Sequence, residues 1–211
     1  MPLLIEKEFQ SGKLAVWKVE EDKNFFTSKL NFTDFDLKEI QRFNNSPKLV
    51  EWLSSRYLLK FLVNHTETLD LQKDEFGKPF LKNINIHCSL SHCIGYVAAI
   101  ISKKSRVGID IEKIHPRVQK IADRFLNNSE LSAINGSERT EKLITLWSAK
   151  ESLYKLYGRK KLDFRENLKI ASFNFQNSGK LNAEISKDSF DRKLEVNYEV
   201  LEEHVLSWVS E

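Results

Sequence analysis

The chain has 211 residues, of which 41% are hydrophobic and 30% are charged, with a formal net charge of +3 at pH 7. This composition is typical of soluble globular proteins, and the length allows one large domain or two small ones. The charge is too close to neutral for a dedicated nucleic-acid-binding protein, so we expect no nucleic-acid partner. The two cysteines, Cys88 and Cys93, suggest no disulfide framework.

No segment has the pattern of a membrane span or an export signal. The longest apolar run, residues 96–101, is far shorter than the roughly 20 residues that cross a bilayer. The N-terminal residues lack the basic start, long apolar stretch and small-residue cleavage site of a signal peptide. We therefore expect a cytoplasmic protein with no membrane partner.

The first part of the chain predicts a strand followed by helices. Residues 13–19 alternate as a strand does, and residues 34–43 could form a short helix. Ser46 and Pro47 are a typical helix start, so we predict a helix over residues 48–64. Lys48 and Arg56 lie just over two turns apart on it, either as surface charges or as two cations able to hold one phosphate.

Residues 85–112 have the pattern of three successive antiparallel strands. The first is predicted at residues 85–91, the second at residues 96–102, and the third begins at Val107. Upstream of them, Gly77-Lys78-Pro79 breaks regular structure and can hold a lysine on a rigid loop.

The second half alternates helices with short strands. We predict a helix over residues 116–126, a short one near residues 130–135 capped by Ser129-Glu130, and a long one capped by Ser137 or Thr140 and ended by Gly158. Four later runs are predicted as strands, the second of them less clearly: residues 168–176, 180–185, 193–200 and 204–209. The sequence thus predicts an α+β protein whose two halves, residues 1–104 and 105–211, could be similar and enclose a ligand cleft.

The stretch VGIDIEKI, residues 107–114, carries the first candidate site. On a strand, its apolar residues face one way, and Gly108, Asp110 and Glu112 face the other. The two acids are either solvated on a half-exposed strand or close enough to bind one cation. Aspartate is uncommon in strands, which favours a specific role.

The long helix carries the second candidate site. Trp147, Glu151, Tyr154 and Lys155 share one side of it, with Glu151 and Lys155 one turn apart. This is either an ordinary surface ion pair or, because of the neighbouring aromatic residues, part of a covered site. Three carboxylates and a lysine are the groups that hold Mg²⁺ and a polyphosphate. Further phosphate contacts could come from four more side chains: Lys48, Arg56, Lys78 and His92.

Several motifs in order resemble the 4′-phosphopantetheinyl transferases of the Sfp type. VGIDIEKI is followed about thirty-five residues later by WSAKESLYKLYG, residues 147–158, and both resemble signatures of that family. Upstream, GKPFL at 77–81 and SLSHCIGYVAA at 89–99 resemble two more. Phe125 and Glu130 match a middle element loosely, and Cys93 replaces a small hydroxyl residue of the family pattern.

The resemblance implies a fold, a reaction and partners. Family members consist of two similar α+β halves with coenzyme A between them, and we expect a monomer. They transfer the phosphopantetheine arm of coenzyme A to a serine of an apo acyl or peptidyl carrier protein and release 3′,5′-ADP. The matched acids Asp110, Glu112 and Glu151 would bind Mg²⁺.

The resemblance also implies roles for individual residues. Glu130 would be the general base, with Glu112 and Glu151 as rivals, while Glu151 and Lys155 would act at the reacting phosphates. Coenzyme A would be contacted by the following matched residues: Lys48, Arg56, Lys78, Pro79, Ser91, His92, Asp110, Lys150 and Lys155.

Two alternatives and one surface complete the predictions. Cys88, His92 and Cys93 could form a zinc site, although the paired spacing and a fourth ligand are missing. A non-catalytic module that binds coenzyme A or a nucleotide is the alternative function. The basic residues Lys113, Arg117, Lys120 and Arg124 are either a solvated helix face or a surface for an acidic carrier protein.

Overall fold

The structure is a computed structural model that describes residues 2–43, 46–64 and 68–211. The chain forms two compact units, one ending at Arg106 and the other beginning at Val107. Each unit combines helices with antiparallel strands, so the predicted α+β class is confirmed. Among the described residues, no helix is both long enough and apolar enough to cross a membrane.

The first unit is built on a four-stranded antiparallel sheet with the order β1-β2-β6-β5. A two-stranded ribbon, β3-β4, and three helices complete it. The strands are β1 (Leu3–Phe9), β2 (Gly12–Lys18), β3 (Leu71–Lys73), β4 (Pro79–Leu81), β5 (His87–Cys93) and β6 (Tyr96–Ser102). The helices are α1 (Lys23–Lys29), α2 (Asp34–Phe43) and α3 (Lys48–Val63).

Helix α3 packs on this sheet through a row of leucines. Leu58 and Leu62 are fully buried in one cluster with Ala15 of β2 and Ala99 of β6. Burying a leucine contributes roughly 1.5–3 kcal/mol, so this face fixes the helix on the sheet. The predicted cap at Ser46 is wrong, because the N-cap position falls on Pro47 and no side chain caps the helix.

The second unit is built on a five-stranded sheet with the order β7-β11-β10-β9-β8, antiparallel throughout. Its strands are β7 (Val107–Lys113), β8 (Leu168–Ile170), β9 (Ser178–Lys187), β10 (Phe190–Leu201) and β11 (His204–Ser210). After a 3₁₀ helix (Pro116–Ile121), its helices are α4 (Ala122–Phe125), α5 (Asn128–Ala133) and α6 (Arg139–Tyr157).

The prediction of three successive antiparallel strands over residues 85–112 is wrong for the third strand. Strands β5 and β6 pair, but β6 also pairs with β2, where Ala15 lies opposite Ala99. Both edges of β6 are therefore occupied, since a strand has only two. Strand β7 pairs instead with β11 in the other sheet, with Asp110 opposite Ser207.

In the second unit, the predicted N-caps of α5 and α6 are wrong, whereas the predicted glycine at the end of α6 is confirmed. Asn127, not Ser129, caps α5, and Glu130 completes a capping box with it. Glu138 occupies the N-cap of α6 without a side-chain bond, so the predicted caps Ser137 and Thr140 are wrong. Gly158 ends α6 in the left-handed conformation with φ of 67°, as predicted.

The strand predicted over residues 168–176 ends early, at Ile170. Beyond it, the chain turns onto Tyr198 of β10, whose ring packs against Phe173 and Phe175. The Tyr198 hydroxyl also accepts a hydrogen bond from the backbone N–H of Gln176 at 3.1 Å. These side-chain contacts replace the backbone hydrogen bonds that a longer edge strand would make.

Helix α6 lies directly against strand β7 at Gly108. A Cβ atom at this position would lie 1.9 Å from the carbonyl oxygen of Ser152 and 2.9 Å from the backbone nitrogen of Leu156. The structure shows that the backbone of α6 occupies that space.

Replacing Gly108 with alanine should therefore destabilise the second unit. Overpacking costs typically 1–3 kcal/mol, and we expect at least about 2 kcal/mol because the obstructing atoms belong to backbone. The loss is measured as a shift of the urea midpoint of the full chain.

Gly179→Ala is the matched control, because it makes the same change in β9 of the same sheet. The nearest contacts of the added methyl group would be side-chain atoms of Tyr198, 2.9 Å away and beyond, and not backbone, so we expect a smaller loss. Equal losses for the two variants would contradict the role assigned to the helix–strand contact.

Candidate active site

The acidic face of β7 packs against α6, which buries Asp110 and leaves Glu112 partly exposed. Asp110 is only 3% exposed, and Val107, Ile109 and Ile111 on the opposite face are also buried. The predicted alternation of the strand is therefore present, but both of its faces are largely covered. The expectation of solvated acids is wrong for Asp110, because the helix packs as closely as Gly108 allows.

Asp110 and Lys155 form the central ion pair of this site. The Nζ of Lys155 donates to Oδ1 of Asp110 at 2.7 Å, with side-chain exposures of 26% for the lysine and 4% for the aspartate. The pair joins the last turns of α6 to the middle of β7. Lys155 therefore has a role beyond the ordinary surface pair with Glu151 that its spacing allowed.

Glu112 lies two residues beyond Asp110 on the same face of β7, and its hydrogen-bond donor is uncharged. Its Oε1 accepts a hydrogen bond from Nε1 of Trp147 at 2.9 Å. Burial raises the pKa of Glu112, and the charge of Asp110 raises it further. The Trp147 hydrogen bond and the charge of Lys155 act in the opposite direction.

Glu151 completes the group from the helix side. Burial raises its pKa from the ordinary value of 4.5 to about 7, with further increases from the charges of Asp110 and Glu112 and an opposing effect from Lys155. Three carboxylates thus share one electrostatic environment with one lysine. The structure brings Asp110, Glu112, Glu151 and Lys155 together, as the motifs predicted.

The chemistry of this donor set suits Mg²⁺, which prefers hard oxygen ligands and takes one or two carboxylates together with waters and substrate phosphate. Burial is the main cause of the raised pKa values of Glu112 and Glu151, and the charge of Asp110 raises both further. Within residues 2–43, 46–64 and 68–211, no three His, Cys, Asp or Glu side chains are grouped so that they could hold one metal ion. The residues fit the ion by donor type and charge, with Lys155 bonded to Asp110.

Lys150, predicted to contact coenzyme A, is fully buried and fully hydrogen-bonded. Its ammonium donates to the carbonyl oxygens of Phe125 and Phe164 at 2.8 and 3.0 Å and to Oε2 of Glu130 at 2.7 Å. An ammonium group has three N–H donors, and all three are used inside the protein. In this conformation, Lys150 therefore offers no donor to a phosphate.

Glu130, predicted to be the general base, is also buried, and both of its carboxylate oxygens accept hydrogen bonds. Its Oε2 accepts from Lys150 and from the backbone of Asn127, and its Oε1 accepts from the backbone of Ile170 at 2.9 Å. The side chain is 4% exposed. The sequence prediction missed this because the partner N–H groups come from residues up to forty positions away.

In the first unit, Ser91 and His92 lie next to each other on β5 and differ in exposure. Ser91 is buried, whereas the His92 side chain is 54% exposed, with Nδ1 3.5 Å from Oε2 of Glu51 on α3. Lys78 and Pro79 follow the turn between β3 and β4, where Oδ1 of Asp74 accepts from the Lys78 backbone at 2.9 Å. All four residues predicted from these motifs lie within one unit.

Arg56 and Lys48 have different surroundings. The Nε of Arg56 donates to Oδ1 of Asp36 at 3.1 Å, and its guanidinium carbon lies 3.3 Å from the ring centroid of Trp52. Burial lowers the pKa of Arg56 to about 10, against the raising effect of Asp36. Lys48 is exposed at the start of α3. Sequence spacing could not show that Arg56 already has an anionic partner.

The surroundings of Cys88 disfavour the predicted alternative of a zinc site. Its thiol is buried, and burial raises its pKa to about 12, so the thiolate that zinc requires is disfavoured. Its Sγ instead donates to the carbonyl oxygen of Pro79 at 3.6 Å. His92, four residues along the same strand, is exposed.

Sequence reasoning did not assign several residues that position the site. Trp147 was recognised only as an aromatic neighbour, although it donates to Glu112. Asp36, the partner of Arg56, and Asn127, which caps Glu130's helix, were not singled out. A polar residue three positions before Glu130 is a capping-box signal that could have identified Asn127.

Comparison with known proteins agrees with this arrangement. Residues 106–209 match the family model of the 4′-phosphopantetheinyl transferase superfamily. This segment, just under half of the chain, is similar to that superfamily. The matched residues include β7 and α6, and therefore the whole acidic cluster with Lys155.

Individual members of the superfamily are similar over shorter stretches. The 4′-phosphopantetheinyl transferase gsp of Aneurinibacillus migulanus is 35% identical over 114 residues, which are 53% of this chain and 47% of the relative. Sfp of Bacillus subtilis (strain 168) is 29% identical over 150 residues, 66% and 65% of the two chains. AcpT of Escherichia coli (strain K12) is 29% identical over 121 residues, 53% and 60%. The chain spans less than two thirds of the length of each of these relatives.

The pKa of Glu151 predicts a pH-dependent cost to stability. Between about pH 4.5 and pH 7, the folded state binds more protons at Glu151 than the unfolded state does, so stability falls as the pH rises through this window. Glu151→Gln should remove this effect. In metal-free buffer, the free energy of unfolding of the variant relative to the native chain should increase by about 1–3 kcal/mol from pH 5 to pH 8.

Urea unfolding at the two pH values, with a chelator present, measures this difference. Glu166→Gln is the matched control, because it makes the same change at an exposed position in the same unit and should show no such increase. A difference for Glu151→Gln that is the same at both pH values would contradict the assigned environment.

Proposed function

We propose that this protein transfers the 4′-phosphopantetheine arm of coenzyme A to a serine of an apo acyl or peptidyl carrier protein. The observation that carries the proposal is the cluster of Asp110, Glu112 and Glu151 with Lys155. This cluster lies inside the segment that matches the superfamily. The curated relatives are named 4′-phosphopantetheinyl transferases, which supports the same reaction.

The proposed reaction replaces the phosphoanhydride bond of coenzyme A with a phosphoester bond to serine. The serine oxygen of the carrier bonds to the β-phosphorus of coenzyme A, the bond from that phosphorus to the 3′,5′-ADP oxygen breaks, and the serine proton passes to a base. We propose that Asp110, Glu112 and Glu151 hold Mg²⁺. When bound, this ion supplies positive charge against the pyrophosphate.

Lys155 would supply the fixed cation of the site. Its ammonium has two N–H groups besides the one directed at Asp110, and its side chain remains 26% exposed. The ion pair with Asp110 restricts the lysine to one position and leaves donors for a phosphate oxygen. A cation held in this way stabilises charge that develops on the leaving group.

The base for the serine proton is best sought at Glu112 or Glu151. Both carboxylate oxygens of Glu130 are occupied by buried hydrogen bonds, and its proton acceptance would break the ion pair with Lys150. Glu130 and Lys150 instead join α5 to α6 through a buried ion pair. Their proposed role is to hold α6 in place.

Residues of the first unit would contact coenzyme A. Lys48 and His92 are exposed cationic or ionisable side chains on α3 and β5. Lys78 and Pro79 are proposed to contribute from the β3–β4 turn, with Ser91 beside His92. Arg56 can join them only by sharing or leaving its bond to Asp36. A cytoplasmic location and a monomeric state remain predictions.

A carrier mass-shift assay tests the function. Purified protein, Mg²⁺, coenzyme A and an apo carrier should give a carrier that is heavier by one phosphopantetheine, with release of 3′,5′-ADP. Asp110→Asn should reduce the rate by at least about 100-fold, because it removes the charge that pairs with Lys155 and would bind the cation.

Asp123→Asn is the control, since Asp123 is an exposed acid of the same unit. Failure to modify any of several fatty-acid, polyketide and peptide carriers, with the protein shown to be folded, would reject the transferase. Saturable coenzyme A binding without turnover would then favour the non-catalytic binding module.

A basic surface next to the site is the proposed carrier contact. Arg117 and Lys120 lie exposed on the 3₁₀ helix after β7, while Val118 anchors that helix in the core. Arg124 is also exposed, and Lys113 forms an ion pair with Glu203 at 3.3 Å with both side chains more than half exposed. Such exposed charges steer an acidic partner more than they stabilise the fold.

Charge reversal at Arg117 and Lys120 should raise the KM for an acidic carrier by about 10-fold and leave coenzyme A affinity unchanged, because only the protein partner contacts this surface. Steady-state kinetics with each substrate varied in turn separates the two effects. Charge reversal at Arg165 and Lys169, two exposed cations elsewhere in the unit, is the control. A loss of coenzyme A affinity with an unchanged carrier KM would reject this surface.

A further inference from the structure

Each acid of β7 has a separate hydrogen-bond donor on α6, and the two donors differ in charge. Asp110 is bonded to the ammonium of Lys155 at 2.7 Å, whereas Glu112 is bonded to the indole of Trp147 at 2.9 Å. Indole is a donor only and carries no charge. It can therefore fix the position of the Glu112 carboxylate without neutralising it.

The indole itself is held in place by aromatic neighbours. The Trp147 ring packs edge-to-face on Phe125, with centroids 5.1 Å apart, and against Phe164, at 5.6 Å. Phe164 in turn packs against Tyr154, which lies on the same side of α6 as Trp147. A side chain held on two faces by rings has little rotational freedom, so its N–H points consistently at Glu112.

The choice of a neutral donor determines the charge of the cluster. Lys155 offsets the charge of Asp110, whereas the indole adds no positive charge beside Glu112, so more negative charge remains to attract a divalent cation. A lysine or arginine at the position of Trp147 would offset the charge of Glu112 as well. The indole also engages Oε1 of Glu112, which leaves the other oxygen as the one to meet a ligand.

We propose that Trp147 is a positioning residue that orients Glu112 for a divalent cation through its indole N–H. The inference rests on the proposed function, since the cation is the one that the transferase would use. Partners that orient a metal ligand typically contribute 10–100-fold to metal affinity. Trp147 does not itself touch the ion or the reacting atoms.

The variant Trp147→Phe separates orientation from packing. Phenylalanine keeps a ring between Phe125 and Phe164 but has no N–H to offer Glu112. Mn²⁺ serves as a paramagnetic substitute for Mg²⁺, and free Mn²⁺ is counted by electron paramagnetic resonance with the full chain, in the presence and absence of coenzyme A. We expect the Kd for Mn²⁺ to rise by about 10-fold or more.

Trp17→Phe is the matched control. Trp17 also donates its indole N–H to a carboxylate, Oε2 of Glu21, at 3.1 Å in the first unit. Removing that bond should leave the Kd for Mn²⁺ unchanged. The thermal midpoints of both variants show whether either change acts through stability alone.

The outcomes distinguish this inference from the proposed function. An unchanged Kd for Trp147→Phe, with the native chain binding Mn²⁺ normally, would overturn the role of Trp147 and leave the transferase proposal intact. A native chain that binds no Mn²⁺ with or without coenzyme A would reject both the cation site and the inference. A weakened Kd in Trp147→Phe that Glu112→Gln reproduces, with no further loss in the double variant, would support direct coupling between the two residues.

Discussion

The close approach of α6 to β7 at Gly108 is the contact on which the rest of the second unit depends. With no Cβ at this position, the carbonyl of Ser152 lies where a side chain would otherwise stand. The helix can then reach both Asp110, through Lys155, and Glu112, through Trp147. A helix displaced outward by a methyl group would lengthen both hydrogen bonds. Packing density and site geometry are therefore set by the same contact.

In the acidic cluster, one lysine only partly offsets the repulsion between three carboxylates. One cationic donor and one neutral donor hold the two strand acids, and burial with mutual repulsion raises the pKa of Glu112 and Glu151. Such an arrangement is costly for an isolated protein, because like charges are held together out of water. It is useful where a cation and a phosphate arrive together. Perturbed pKa values of this kind are common in functional sites.

Two adjacent charged residues of the same motif lie in different surroundings. Lys150 and Glu151 are adjacent in the chain, yet Lys150 points into the core against Glu130, and Glu151 belongs to the acidic cluster. Successive residues on a helix are about 100° apart, so one can be buried under the helix while the next faces the site. The Lys150–Glu130 pair is fully hydrogen-bonded, which makes a lysine tolerable at 0% exposure. Motif membership alone could not tell the structural lysine from the one in the site.

The sequence predicts the α+β class, the helices α3 and α6, most of the longer strands, the alternation of β7 and the side of α6 that carries Glu151 and Lys155. These follow from local periodicity, which needs no knowledge of distant residues. Strand β1 was missed even though residues 3–9 alternate in burial, because its charged outward positions weaken the apolar signal. Other features are established by the folded chain alone: β7 pairs with β11, Gly108 admits a helix backbone, Asp36 binds Arg56, and Glu130 is buried against Lys150. Each of these depends on groups far apart in the chain competing for the same edge, space or hydrogen bond, and such competition is resolved only when the chain is folded.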